Sequence, residues 1–137
     1  MKKIFTLFIL LTTLISCSIN DKSLENYIST EIENSNKLNL SNYHEFDWDS
    51  IIILGPYSNL AKIEKEKNID LSNVNNSIES LDSINLIIFL KDSKAVKYSE
   101  ISRNITDFDT YQEIIKKENA KFILDANQNN SKILKIE

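Results

Sequence analysis

Apolar side chains recur at helical spacing in two segments of the chain. In the first, residues 23–33, the apolar stripe consists of Leu24, Tyr27, Ile28 and Ile32. The second, residues 59–67, follows Ser58, which is a suitable N-cap, and turns alternating lysine and glutamate outward. Both patterns predict amphipathic helices that bury one face against a core.

The pattern farther along the chain predicts a third, shorter helix. Asp109 or Thr110 would begin it, residue 118 would end it, and its apolar stripe would consist of Tyr111, Ile114 and Ile115. Residues 68–82 are polar and rich in asparagine, so we expect them to form a loop with one helical turn.

Extended segments are predicted where β-branched and aromatic residues cluster. Residues 37–54 fit this description, and their strongest run is Ser50–Leu54. Gly55 and Pro56 end that run, because proline cannot continue a ladder of backbone hydrogen bonds.

The second half of the chain predicts four further strands. Residues 83–101 indicate a hairpin around the polar turn 91–94, with Val96 and Tyr98 on one face of the returning strand. The turn contains no glycine, which disfavours a tight type I′ geometry. Residues 121–126 and 132–136 predict two more strands, the last of them at an edge, joined by a turn at 127–130.

Hairpins with helices between them are typical of one fold class. The sequence predicts an α+β fold, in which short helices pack on one face of an antiparallel sheet of about four to six strands. Residues 23–137 are long enough for a single domain with its own core and too short for two.

Composition narrows the classes of partner. The 137-residue chain has a net charge of −4, which becomes −6 once Lys2 and Lys3 are removed with the first 16 residues. One arginine and no basic stripe argue against nucleic acid as a partner. A single glycine argues against a phosphate-binding loop, and a single histidine argues against a zinc site, so we expect no cofactor and no metal.

The first residues carry an export signal. Lys2 and Lys3 precede an apolar run at positions 4–15, and Ser16 and Cys17 follow it. This order is typical of a secretory signal peptide. The run is shorter than the roughly 20 residues that a transmembrane helix needs, so a permanent span is the weaker interpretation.

Leu14-Ile15-Ser16-Cys17 resembles the lipobox of bacterial lipoproteins. The resemblance implies cleavage between Ser16 and Cys17, attachment of lipid to the Cys17 thiol, and a short tether over residues 17–22. It places the protein in the bacterial cell envelope, on the outer membrane of a diderm host or on the outer face of the cell membrane otherwise. Plain secretion is the alternative, but it leaves the chain's only cysteine unexplained.

One segment of the mature chain combines candidate chemical groups. On a strand, Glu45, Asp47 and Asp49 would share a face beside His44, and such a row could bind Ca²⁺ or supply a general base. We favour a half-buried strand with Trp48 inward and the acids in water. Any binding surface in this region would be drawn from the residues His44, Asp47, Trp48, Asp49 and Tyr57.

Residues 46–126 also resemble a group of small uncharacterised exported proteins and lipoproteins. The shared order is Phe46-Asp47-Trp48-Asp49, an aliphatic strand, Gly55-Pro56-Tyr57-Ser58 and a helix, then an apolar strand at 86–90 and Val96-Lys97-Tyr98. The resemblance implies a common fold, and it brings no activity and no catalytic residue with it.

These features predict a membrane-anchored, non-enzymatic domain that binds a protein of the cell envelope. The alternative is a self-protection protein, of the immunity type, whose acidic domain inhibits an exported enzyme or toxin. A small envelope hydrolase that uses His44 with Glu45 or Asp47 is the weakest of the three hypotheses.

Overall fold

The computed structural model describes residues 20–125 and 132–137. Within them the fold is α+β, as predicted. The helices are α1 (Ser23–Ser35) and α2 (Leu60–Lys67), and three short 3₁₀ helices cover Leu40–Asn42, Asn76–Glu79 and Lys117–Asn119. The strands are β1 (Lys37–Asn39), β2 (Ser50–Leu54), β3 (Ile84–Lys91), β4 (Lys94–Ser102), β5 (Asp107–Phe108), β6 (Ile114–Lys116), β7 (Lys121–Asp125) and β8 (Ile133–Ile136).

The strands form two sheets of four, where the sequence predicted one sheet. In the first sheet the order is β4-β3-β2-β6 and all pairs are antiparallel. In the second sheet the order is β1-β7-β8-β5, and β5 runs parallel to β8. The segment 132–136 was predicted as an edge strand, which is wrong, because β8 lies between β7 and β5.

The first sheet is buried on both faces. Along β2 the side chains alternate, so that Ile51 and Ile53 enter one apolar cluster while Ile52 and Leu54 enter another. The first cluster lies between this sheet, α1 and the second sheet. The second cluster lies between the other face, α2 and the loop 68–82. This double burial explains why β2 and β3 have continuous apolar sequences.

The two long helices were predicted with one error in capping. Leu24, Ile28 and Ile32 of the predicted α1 stripe are buried and Tyr27 is half-buried, and Asn36 ends the helix at a φ of 54° with its N–H bonded to Ile32 O. For α2, Ser58 was the predicted cap, but Asn59 caps it, accepting a hydrogen bond from the Lys62 N–H at 2.8 Å. The Ser58 hydroxyl instead donates to the carbonyl of Gly55. The loop 68–82 contains the expected single helical turn.

The β3–β4 hairpin differs from its prediction in two details. Asp92 and Ser93 have φ values of 50° and 63°, the positive pair that a type I′ turn needs, although neither is glycine. The register also shifts between Phe89 and Leu90, which leaves Val96 as an extra residue. Val96 and Tyr98 were expected on one face, but this bulge sends them into different apolar clusters.

The helix predicted from residue 109 or 110 to residue 118 is wrong. Gln112 has a φ of 60°, which interrupts any helix, and its N–H bonds to the carbonyl of Ile53. The chain then continues as β6, in which Ile115 pairs with Ile51 on the edge of the first sheet. The apolar stripe was correct in part, because Ile115 is buried and Tyr111 packs against the same cluster.

Candidate binding edge and groove

The segment 43–49 is a loop, and the strand predicted there is wrong. Tyr43 and Trp48 are buried, and the Trp48 indole N–H donates to the carbonyl of Tyr43 at 2.9 Å. The rings of Trp48 and Phe46 each meet the ring of Phe89 edge-on at 5.0 Å. Trp48 was a candidate binding residue, but in the structure it belongs to the core.

The three acids of this loop do not form a row, because the loop has no regular alternation. Asp47 is exposed and forms an ion pair with Lys91 at 3.1 Å. The carboxylate of Asp49 accepts from the Asp92 N–H at 2.8 Å and from the Ser50 hydroxyl at 2.7 Å. The hydrogen bond from the Asp92 N–H, and after it the bond from the Ser50 hydroxyl, hold the pKa of Asp49 below its usual value. Asp49 therefore fixes the hairpin turn beside it.

The remaining candidates are exposed in this loop, lie away from it or fall outside the described residues. His44 and Glu45 are exposed. Tyr57 has 64% of its surface exposed, but it lies beyond the other end of β2, a strand of five residues and thus roughly 17 Å long. No group of three His, Cys, Asp or Glu side chains within residues 20–125 and 132–137 could hold a metal ion. Ser16 and Cys17 lie outside the described residues.

A polar cluster that sequence reasoning missed joins β3 to the segment 103–111. The buried Asn85 side chain donates to the Asp107 carboxylate at 3.0 Å and to Thr106 O at 3.1 Å. Arg103 binds the same carboxylate through two nitrogens, at 2.8 Å each. The Tyr111 hydroxyl lies 3.0 Å from the Asn85 side-chain oxygen and 3.1 Å from Asp107.

The electrostatics of this cluster are those of a structural clamp. Burial alone would raise the pKa of Asp107, but the hydrogen bonds from Arg103, Asn85 and Tyr111 outweigh it and lower that pKa. Burial, with the Asp107 charge nearby, raises the pKa of Tyr111 to about 12. The cluster therefore favours the charged form of Asp107 and the neutral form of Tyr111. This hydrogen-bonded network holds the segment 103–111 against β3.

The two edges of the first sheet differ. The outer side of β4 is covered at three points along its length. At the hairpin end, Ala95 N–H donates to Asp70 O at 2.9 Å, and in the middle Asp21 N–H donates to Tyr98 O at 2.7 Å. At the far end, the Ser102 N–H donates to the carboxylate of Glu25 at 3.0 Å. This edge is therefore closed to another strand.

The outer side of β6 is open in the part of the chain that the structure describes. The Lys117 N–H donates to the carbonyl of Asp49 at 2.8 Å. Hydrogen-bonded and non-hydrogen-bonded pairs alternate along an antiparallel pair of strands. The bond at Lys117 therefore implies that Ile115, two residues earlier, exchanges backbone hydrogen bonds with Ile51. The backbone groups of Ile114 and the N–H of Lys116 therefore point away from β2, where a further strand could pair with them.

An open groove of about 690 Å³ adjoins this edge. It lies between β6 and the end of the β7–β8 hairpin where Lys121 and Ile136 lie. Ile114 and Ile136, with 44% and 38% of their surfaces exposed, supply its apolar part. The charged side chains around it are Glu113, Lys116, Glu118, Lys121 and Glu137. Because Ile114 and Ile136 are far apart in the chain, no local pattern could have predicted this groove.

Comparison with known proteins found no relative. No family model matches the chain, and neither the curated proteins nor the solved structures include a significant match. None of the helices in residues 20–125 and 132–137 has the length and apolarity needed to cross a membrane.

Proposed function

We propose that the chain is a lipid-anchored lipoprotein of the bacterial cell envelope, whose folded domain binds an extended segment of a partner protein along β6. Binding is by strand addition: backbone hydrogen bonds supply affinity, and the adjoining groove selects side chains. The domain itself carries out no reaction. Its host membrane is the outer membrane of a diderm bacterium, or the outer face of the cell membrane otherwise.

The anchor is supported by the sequence of the first 17 residues. They combine two lysines, an apolar run and a small residue before the chain's only cysteine. One acyl chain holds a protein at a membrane only marginally, whereas two or more hold it stably. A lipid with two or more acyl chains on Cys17 would therefore suffice as an anchor.

The binding site is supported by one observation above all, the contrast between the two edges of the first sheet. An uncovered strand edge is a hazard, and proteins usually block it with charges, bulges or other chain segments. Here β4 is covered at three points along its length, whereas the three-residue β6, which ends at Lys116, keeps outward backbone groups beside the exposed Ile114 and Ile136. An edge left open next to a groove with both apolar and charged side chains is suited to a partner strand.

The anchor is tested by labelling cells with a clickable palmitate analogue and separating membranes from soluble proteins. The wild-type chain should take up the label and sediment with membranes, and Cys17→Ser should do neither. A Cys17→Ser protein that still takes up label and stays with the membrane would contradict lipidation at this residue.

The binding edge is tested by removing one backbone donor. Lys116 has a φ of −66°, which proline adopts without strain, and its N–H points away from β2. Lys116→Pro should therefore fold normally and lose strand addition. Lys116→Ala is the matched control, since it removes the same side chain and keeps the N–H.

The readout is cross-linking of the anchored protein in intact cells, followed by identification of what is captured. A partner seen with the wild type and with Lys116→Ala, but lost with Lys116→Pro, supports pairing along β6. Equal capture by all three proteins would exclude β6 as the binding edge.

A further inference from the structure

The N-terminal segment is part of the folded domain. Asn20 forms a parallel bridge with Tyr98 on the outer side of β4, and the Asp21 N–H donates to the Tyr98 carbonyl at 2.7 Å. The tether expected over residues 17–22 is therefore held to the domain from Asn20 onward. Because Cys17 precedes Asn20 by three residues, this contact determines which side of the domain lies nearest to the anchor on Cys17.

The side chain of Asp21 fixes this segment a second time. Its carboxylate accepts from the Tyr43 hydroxyl at 2.7 Å, and from the N–H and hydroxyl of Ser23 at 2.9 and 2.6 Å. Burial acts to raise the pKa of Asp21, but the bonds from Ser23 and Tyr43 outweigh it and lower that pKa. The acid is thus charged and bonded on both oxygens at neutral pH.

Chain length then limits the distance to an anchor. Three residue steps separate Cys17 from Asn20. A fully extended chain spans at most about 3.6 Å per residue, so the two Cα atoms are within roughly 11 Å of each other. A lipid on Cys17 must therefore leave the bridge between Asn20 and Tyr98 close to the membrane surface.

We infer that the surface formed by Asn20, Asp21, the start of α1 and the outer side of β4 lies against the lipid headgroups. We call it the β4 face. The inference rests on the lipid anchor of the proposed function and adds an orientation to it.

Charges of both signs lie on the β4 face. Lys22 is exposed beside the bridge, and Lys97 precedes Tyr98 in β4. Two acids lie on the same face, where Asp21 binds Tyr43 and Glu25 accepts from the Ser102 N–H. An anionic leaflet would attract the two lysines and repel the two acids, so the short link to Cys17, and not charge, sets the orientation.

The same orientation leaves the binding edge free. β6 is three strands away from β4 in the first sheet, and neighbouring strands lie about 4.8 Å apart. The open edge and its groove therefore lie about 14 Å across the sheet from the anchored edge. A partner protein in the envelope could reach β6 without displacing lipid.

The test measures how far two labelled sites lie from the lipid. Mature lipidated protein carrying Lys97→Cys or Lys116→Cys is labelled with a nitroxide and placed in phosphatidylcholine–phosphatidylglycerol vesicles that contain a nickel-chelating lipid. Nickel should broaden the label at position 97 strongly and the label at position 116 weakly, as expected for a difference of about 14 Å. Equal broadening, or stronger broadening at 116, would overturn the orientation.

Two hydroxyl deletions test what holds the orientation. Tyr43→Phe removes the bond to Asp21 and should reduce the difference between the two sites. Tyr27→Phe removes a nearby hydroxyl that bonds to Asn39 O and should leave the difference unchanged. An undiminished difference in Tyr43→Phe would contradict the role of Asp21. Protein that does not stay with the vesicles would contradict the lipid anchor itself. Protein that stays with them but shows stronger broadening at position 116 than at position 97 would contradict the orientation alone.

Discussion

The ring of Tyr111 lies against the backbone of Gly55, so closely that a Cβ at position 55 would stand 3.2 Å from the ring. Gly55 has no positive φ, so the structure favours glycine here for space and not for backbone freedom. The ring has little room to move, because the hydroxyl of Tyr111 is held by Asn85 and Asp107. This contact joins the end of β2 to the polar cluster of Asn85, Arg103, Asp107 and Tyr111.

Gly55→Ala should destabilise the domain by about 1–3 kcal/mol, the usual cost of adding a methyl group to a packed site. Urea unfolding measures the loss. Tyr57→Ala is the control in the same turn, and because its side chain is exposed we expect a change within about 0.5 kcal/mol. An alanine at position 55 that leaves the free energy of unfolding unchanged would show that the ring can move aside.

Local patterns predicted the parts of the fold that local patterns determine. The stripe of α1, the apolar run of β2 and the β3–β4 hairpin were recognisable because their burial follows a helical or strand period. The α+β class followed from their order. The segment around Trp48 was mistaken for a strand because its aromatics bury themselves through Phe89, a contact distant in sequence.

The site was less predictable than the fold. Tyr111, Ile114 and Ile115 have the spacing of a helical stripe, and only pairing with β2 makes the last two part of a strand. The groove is lined by both Ile114 and Ile136, which depends on how the two sheets pack. By contrast, the proposed lipidation signal at Cys17 is a linear motif, and its prediction needs no fold.

Ser93→Gly should stabilise the domain by about 1 kcal/mol. Ser93 has a φ of 63°, and a left-handed conformation costs an ordinary residue roughly 1–2 kcal/mol that glycine avoids. The measurement is the urea midpoint, with Ser93→Ala as the control that removes the hydroxyl and keeps the strain. If both variants shift the midpoint equally, the hydroxyl and not the backbone angle accounts for the effect.

Ser99→Ala should leave the domain as stable as the wild type or more stable, by up to about 1 kcal/mol. The Ser99 hydroxyl is buried in β4 and has no hydrogen-bond partner within residues 20–125 and 132–137, and an unsatisfied buried polar group is unfavourable. Thermal unfolding tests this. The comparison is Ser58→Ala, which removes a buried hydroxyl that donates to Gly55 O and should lower the melting temperature. A large loss of stability in Ser99→Ala would mean that this hydroxyl does have a partner.

The domain should lose stability in alkali because Tyr27, Tyr43 and Tyr111 are harder to ionise when it is folded. Burial is the main cause that raises the pKa of Tyr43 and of Tyr111 to about 12, from an ordinary value of 10.0. A raised folded pKa contributes stability that is fully present below pH 10 and is lost as the pH rises toward 12. Urea midpoints measured across this range should fall, and tyrosinate absorbance should rise late in the folded protein. Tyr43→Phe and Tyr111→Phe should each weaken the pH dependence, whereas Tyr57→Phe, which changes an exposed ring, should preserve it. A wild-type midpoint that stays constant between pH 10 and pH 12 would contradict the raised pKa values.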